Sequence, residues 1–359
     1  MKDQVSDEMV RLDILRDILT RGRGPREDSV VQVGVDDMDD AALIKVSEED
    51  SLVITSDFVR GSGFYLFTMG YLDYFDVGYY VIIANLSDLA SKGARPVGLT
   101  TIVRYSDRMT DPEFAQVFQG MRAAADLYGA EIVGGDIGGY SVDVFAATAF
   151  GFVKTRQALL RKGARVGDLV CVTGKIGLPI TALTYFKEVK SKGFALSVEE
   201  ENKVLESWKR PKARFKEAFI LSGNGLASSC QDISDGLKGT LEQMSAVSGK
   251  AFTVYEDKLP VDGITVRMAS FLGIPKAQIA MSASVDFELM FTMPAAKEKE
   301  CSRLFHQSGS TFTVIGEVSP GKENVLVTAE GRRETLPGVA WKQQTGDYLK
   351  EIVEGGTHS

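Results

Sequence analysis

Hydrophobic and polar positions follow two rhythms along this chain, and the switches between them mark out its elements. Leu12, Leu15 and Leu19 recur at helical spacing and predict a helix over 9–20. Ser51-Leu-Val-Ile-Thr-Ser-Asp57 is a run of strand formers that ends on an acid. Helical spacing returns over 76–92 and stops at Gly93, a residue that accepts the left-handed backbone of a helix end. The stretch 97–103 predicts a strand, and 111–128 a helix with Asp111 and Pro112 in its opening positions. Glu131-Ile-Val133 predicts a short strand running into a turn at Gly134-Gly135-Asp136. Val142, Val144, Ala146, Thr148, Phe150 and Phe152 then fall on one face of a long strand.

A basic stretch with glycines, 154–165, interrupts this alternation. It predicts a boundary between a first domain, 1–154, and a second, 155–350, with 351–359 as a flexible tail. The second half reopens with a strand, Asp168-Leu-Val-Cys-Val-Thr173. Ser228-Ser-Cys-Gln-Asp-Ile-Ser-Asp-Gly236 leads into a helix, 286–292 predicts a strand, 295–307 a helix and 313–318 an extended segment. The expected fold class is mixed α/β (α+β) in two domains, which 359 residues accommodate.

Composition narrows the chemistry more than the fold. Hydrophobic residues are 44% and charged residues 25%, the balance of an ordinary globular protein. No run of 18 apolar residues predicts a membrane span, and the charged N-terminus lacks the apolar stretch of a signal peptide. Three widely spaced cysteines, Cys171, Cys230 and Cys301, suit reduced thiols, so a cytoplasmic location is expected. A net charge of −8 argues against a nucleic-acid partner and implies that any phosphate is handled with metal ions. Only His306 and His358 are present, too few for an imidazole zinc cluster or a Ser-His-Asp triad. Gly-x-x-x-x-Gly-Lys-Ser/Thr, Gly-x-Gly-x-x-Gly, Cys-x-x-Cys and Gly-x-Ser-x-Gly are all absent. The remaining tools are carboxylates, glycines and a few basic residues.

The placement of the aspartates is the informative feature. Asp39-Asp40, Asp57, Asp88, Asp136, Asp232 and Asp235 fall at strand ends, in glycine turns or on a helix beside small residues. Hard cations such as Mg2+ take oxygen ligands and share them with substrate phosphates. Gly134, Gly135 and Gly236 let backbone amides approach phosphate, and Ser234 offers a hydroxyl. Asn85 and Asp88 share one helix face. Each acid alone is also an ordinary turn or cap residue, so spacing defines a candidate metal-phosphate site and no more. Tyr71, Tyr74, Phe75, Tyr79 and Tyr80 form an aromatic cluster, read as core or interface packing with contact to a base as the alternative.

In order along the chain, these segments resemble the AIR synthase-related (PurM-like) superfamily of ATP-utilising enzymes, and within it the thiamine-monophosphate kinases. The matching segments are Met38-Asp-Asp-Ala-Ala-Leu43, Thr55-Ser-Asp57, Ala84-Asn-Leu-Ser-Asp-Leu-Ala-Ser-Lys-Gly-Ala94 and Gly134-Gly-Asp136. They continue with Ala158-Leu-Leu-Arg-Lys-Gly-Ala164, Arg210-Pro211, Asp232-Ile-Ser-Asp-Gly-Leu237, Asp286-Phe-Glu-Leu289 and Gly346-Asp-Tyr348. The resemblance implies an N-terminal α/β domain that forms a homodimer and a C-terminal α+β domain that closes over the nucleotide. It implies Mg2+ at Asp40, Thr55, Ser56, Asp57, Asp88, Asp136, Asp232 and Asp235, and ATP at Gly135, Asp136, Arg161 and Ser234. Asp57, Asp136 and Asp232 are thereby the expected catalytic positions.

On the acceptor side the resemblance points to Gly63, Val285, Asp286 and Trp341. Gly63 stands where the family has His and Val285 where it has Glu, so the acceptor stays open while the ATP and magnesium positions are kept. Met38 also replaces the usual Gly before the first acid pair. The implied activity is ATP- and magnesium-dependent phosphoryl transfer to a small phosphorylated acceptor, with thiamine phosphate going to thiamine diphosphate in the kinase branch. Two alternatives accompany it: ATP-dependent activation of an amide or carboxylate, as in AIR synthase, and a non-catalytic nucleotide-binding paralogue in maturation or regulation.

Overall fold

The structure, a computed structural model, describes residues 8–21, 29–59, 61–339 and 348–353. Its first half is built from α1 (Glu8–Thr20), β1 (Val31–Val33), β2 (Ala42–Lys45), β3 (Asp50–Val59), α2 (Tyr65–Thr68), α3 (Tyr74–Ser91), β4 (Arg95–Tyr105), α4 (Asp111–Leu127), β5 (Glu131–Gly139) and β6 (Val144–Lys154). The strands form one sheet in the order β1-β2-β3-β6-β4-β5, with β4 and β5 parallel and the other neighbours antiparallel.

Strand alternation gives this sheet two unlike faces. Val53, Phe145, Ala147, Ala149, Leu99 and Val103 are buried on the face covered by α3 and α4. Phe58, Ile102 and Phe152 project from the other face with 43–60% of their surface exposed. Helix α3 starts with a capping box, Asp73 accepting from the Asp76 amide and Asp76 from the Asp73 amide, and its middle is buried all round. It meets α4 through glycines. A Cβ on Gly78 would strike the Val117 carbonyl, and one on Gly120 the Phe75 carbonyl, so the two backbones touch directly.

The second half contains β7 (Asp168–Thr173), α5 (Leu178–Thr184), α6 (Val198–Lys209), α7 (Phe215–Gly223), β8 (Ser229–Asp232), α8 (Gly236–Ser248), β9 (Ala251–Tyr255), α9 (Gly263–Leu272), α10 (Lys276–Ala280), β10 (Leu289–Pro294), α11 (Glu298–Ser308), β11 (Phe312–Ser319), β12 (Val325–Val327), β13 (Arg333–Thr335) and α12 (Tyr348–Val353). Its sheet runs β13-β12-β9-β11-β7-β10-β8; β7, β8, β9 and β10 are buried on both faces, while the edge strand β13 is exposed. Val170, Val172 and Met290 face one core with Leu237 and Leu241. Cys171, Phe291 and Met293 face another, which continues without a break into α3 and the first sheet. Among the described residues, no helix is long and apolar enough to cross a membrane.

Several boundaries differ from those read off the sequence. The expected turn at Gly134-Gly135-Asp136 is the middle of β5. There Gly135 takes φ +155 where a Cβ would meet the Thr101 carbonyl, so glycine serves close strand approach rather than a bend. The expected strand over 286–292 begins only at Leu289, and the expected helix over 295–307 is a 3-10 turn, 295–297, followed by α11. Part of the expected flexible tail lies in α12, where Ile352 is fully buried; residues 354–359 lie outside the described residues. The short strands β1, β2, β9, β12 and β13 carry too few residues for alternation to show them.

Candidate active site

Six of the predicted acids converge where β3, α3 and the β8–α8 turn meet. Asp39 and Asp40 stand at the base, held by cations. Fully buried Lys92 pairs with both, at 2.9 Å to Asp40 Oδ2, and the Arg161 guanidinium pairs with Asp40 Oδ1. The Arg161 amide also donates to Asp39 Oδ2 at 2.9 Å, and its side chain to the Met38 carbonyl at 2.5 Å. Burial alone would raise the Asp40 carboxyl, but Arg161 and Lys92 outweigh it and bring it down to about 2. Arg161 is thus tied to the first half of the chain by its backbone and its side chain.

Above that base the acids form no ion pair among the described residues. Asp88 Oδ2 accepts from the Thr55 hydroxyl at 2.6 Å, and the Thr55 hydroxyl also reaches the Asp40 carbonyl at 3.1 Å. Asp232, the last residue of β8, accepts from the Ser87 hydroxyl at 2.6 Å through Oδ2, while its buried Oδ1 has no partner among the described residues. Burial, then the charge of Asp40, raises the Asp232 carboxyl to about 7; burial, then Asp232 and Asp40, raises Asp88 well above its usual range. Asp57 is set by Asn85, whose Oδ1 accepts the Asp57 amide at 2.9 Å, one turn of α3 before Asp88. Burial, and Asp235 nearby, raise the Asp57 carboxyl; burial also raises Asp235, which precedes α8.

Two of these acids, Asp57 and Asp235, border a cavity of about 580 Å³. Asp57, Ser234 and Asp235 line its acidic end, and Asp76, paired with Arg210 at 2.6 Å, stands in its wall. The remainder is apolar and aromatic: Phe58, Phe64, Tyr80, Trp208, Val285 and Phe287. Tyr80 stacks on Trp208 at 5.9 Å and meets Phe287 edge-on at 5.4 Å. Phe287 holds this wall at φ +50, a left-handed conformation that is costly for a bulky side chain.

The other predicted positions lie elsewhere. Ser56 is on the opposite face of β3, hydrogen-bonded to Thr148 at 2.7 Å. Asp136 pairs with Arg104 on that same exposed face, and β6 and β4 separate its strand from β3. Gly63 is exposed in a 3-10 turn whose first residue, Gly61, lines the cavity. Asp286 accepts the Gly177 amide at 2.8 Å, and burial raises its carboxyl to about 8. Trp341 lies outside the described residues. Trp208, Phe64 and Phe287 carry no spacing signal, and the aromatic cluster read as packing sends Tyr80 into the cavity wall.

Among the described residues, no three acidic, histidine or cysteine side chains enclose a cation by themselves. The donors are nonetheless all oxygen, and the buried Oδ1 of Asp232 has no hydrogen-bond partner among the described residues. That combination fits magnesium, which is commonly held by one or two carboxylates together with substrate phosphates.

The chain belongs to the AIR synthase related family: residues 38–153 match its N-terminal domain and residues 165–328 its C-terminal domain. Within that family it is similar to thiamine-monophosphate kinases. The enzyme of Pyrococcus horikoshii is 31% identical over 333 residues, which cover 90% of this chain and 98% of the relative. The crystal structure of thiamine-monophosphate kinase from Stenotrophomonas maltophilia is 26% identical with a TM-score of 0.70, covering 91% of this chain and 96% of the other. The structure of AaThiL complexed with AMPPCP and TMP superposes with a TM-score of 0.76 at 22% identity, covering 94% of this chain and 97% of that one.

Proposed function

We propose that the protein is an ATP-dependent kinase of the thiamine-monophosphate kinase type. It transfers the γ-phosphoryl group of ATP to the phosphate of thiamine monophosphate, giving thiamine diphosphate and ADP. The observation that carries this reading is a cavity with a carboxylate end and an aromatic end. In-line phosphoryl transfer needs positioning and charge neutralisation more than a protein nucleophile, which suits a site without histidine or reactive cysteine. Asp57, Asp88, Asp232 and Asp235 would hold magnesium, with Thr55 and Asp40 setting Asp88 in place. Bound there, magnesium supplies the positive charge that lets two phosphate groups approach each other among carboxylates. Arg161 and Ser234 would contact the nucleotide, and Val285 and Asp286 border the acceptor.

Asp136 and Gly135 fit this reading through a second copy of the chain. Asp136 lies three strands from Asp57 and on the other face, so in this reading it would serve such a site from a partner. The exposed apolar face with Phe58, Ile102 and Phe152 suits the homodimer that would supply it. A cytoplasmic location accords with reduced, buried cysteines. Incubation with ATP, magnesium and thiamine monophosphate yields thiamine diphosphate by mass. Asp57→Asn and Asp235→Asn each lower turnover about a hundredfold or more at unchanged circular dichroism. Parent-like turnover in both variants sinks the site.

A further inference from the structure

A phosphorylated acceptor in this cavity needs hydrogen-bond donors, and among the described residues its wall contains no lysine, arginine or histidine. Trp208 is spent, its ring N–H donating to the Pro179 carbonyl at 2.8 Å. Ser234 stands at the nucleotide end beside Asp235. Among the described lining residues the remaining side-chain donor is the Tyr80 hydroxyl, which has no hydrogen-bond partner among the described residues. Its ring is fixed between Trp208 and Phe287, and its oxygen lies in the field of Asp57, Asp235, Asp232 and Asp286. A lysine or arginine there would be captured by those carboxylates, whereas a neutral phenol keeps its proton available for a phosphate oxygen.

We infer that Tyr80 is an acceptor-binding residue. Its hydroxyl donates to the acceptor's phosphate at the acidic end, while its ring, with Trp208 and Phe287, flanks the acceptor's flat heterocycle. It therefore makes the site prefer a phosphorylated over an unphosphorylated acceptor. This assignment rests on the kinase reading above, and binding separates the two. Calorimetry with thiamine monophosphate and with thiamine is run on the parent and on Tyr80→Phe, which keeps the ring and removes the hydroxyl, alongside thiamine diphosphate formation. Tyr80→Phe should weaken thiamine monophosphate binding roughly ten- to a hundredfold, the range for a hydrogen bond to a charged group, and leave thiamine and ATP binding unchanged. No loss, or an equal loss for both acceptors, overturns the assignment. A parent that binds thiamine monophosphate without converting it overturns the kinase reading, while the comparison of the two acceptors still decides the role of Tyr80. A parent that binds neither overturns both.

Discussion

Asp232 shows how much one residue's surroundings decide. Its sequence neighbourhood marks it as a strand-end acid, and the structure adds that Lys92 and Arg161 are engaged by Asp39 and Asp40 one layer below. With its carboxyl at about 7 against an ordinary 3.8, the folded chain holds this proton more tightly than the unfolded chain does. Its contribution to stability is whole below about pH 4 and is lost as pH rises through about 7. Asp232→Asn, which never ionises, should therefore be more stable than the parent above pH 7 in the absence of nucleotide, with the gain shrinking towards acid. Urea midpoints across pH check this, and a pH-independent difference refutes it. Asp40, Asp57, Asp88 and Asp235 are legible as Asp232 is, because acids at strand ends, in glycine turns or on a helix beside small residues stand out. Trp208 and Phe287 are not, since an aromatic residue that faces a cavity has the same sequence pattern as one that faces a core.

At the scale of elements, α3 does most to assemble the site. It carries Tyr80, Ala84, Asn85, Ser87 and Asp88 on successive turns; its stop before Gly93 is readable in the sequence, whereas its start at Tyr74 behind the Asp73 cap precedes the expected 76. Its partner is not readable, because a glycine in a helix looks the same whether it loosens the helix or seats another backbone against it. Gly120→Ala separates these roles. Alanine favours a helix by about 1 kcal/mol, but the new methyl group meets the Phe75 carbonyl and has no flexible neighbour to displace. The net effect expected in denaturant unfolding is a loss of about 1–3 kcal/mol, with weaker acceptor binding because α3 is pushed from its seat. A neutral or stabilising result would show that the helices part without cost.

For the whole molecule, two domains and their order follow from the alternating pattern and the basic break, whereas the way the sheets join does not, because no local signal encodes which buried faces meet. If Asp136 serves a partner's site, Asp57→Asn and Asp136→Asn proteins are each inactive alone. Co-refolded in equal amounts, they should recover roughly a quarter of parent activity, since half of the dimers are mixed and each mixed dimer has one intact site. No recovery would place Asp136 outside the shared site. The core that runs unbroken from the first sheet through Cys171, Phe291 and Met293 has a further consequence. Severing the chain between 154 and 165 would leave each half with a raw apolar wound where the other had been. Neither half is a portable module, and the two halves must have diverged together, each constrained by the shape of the other.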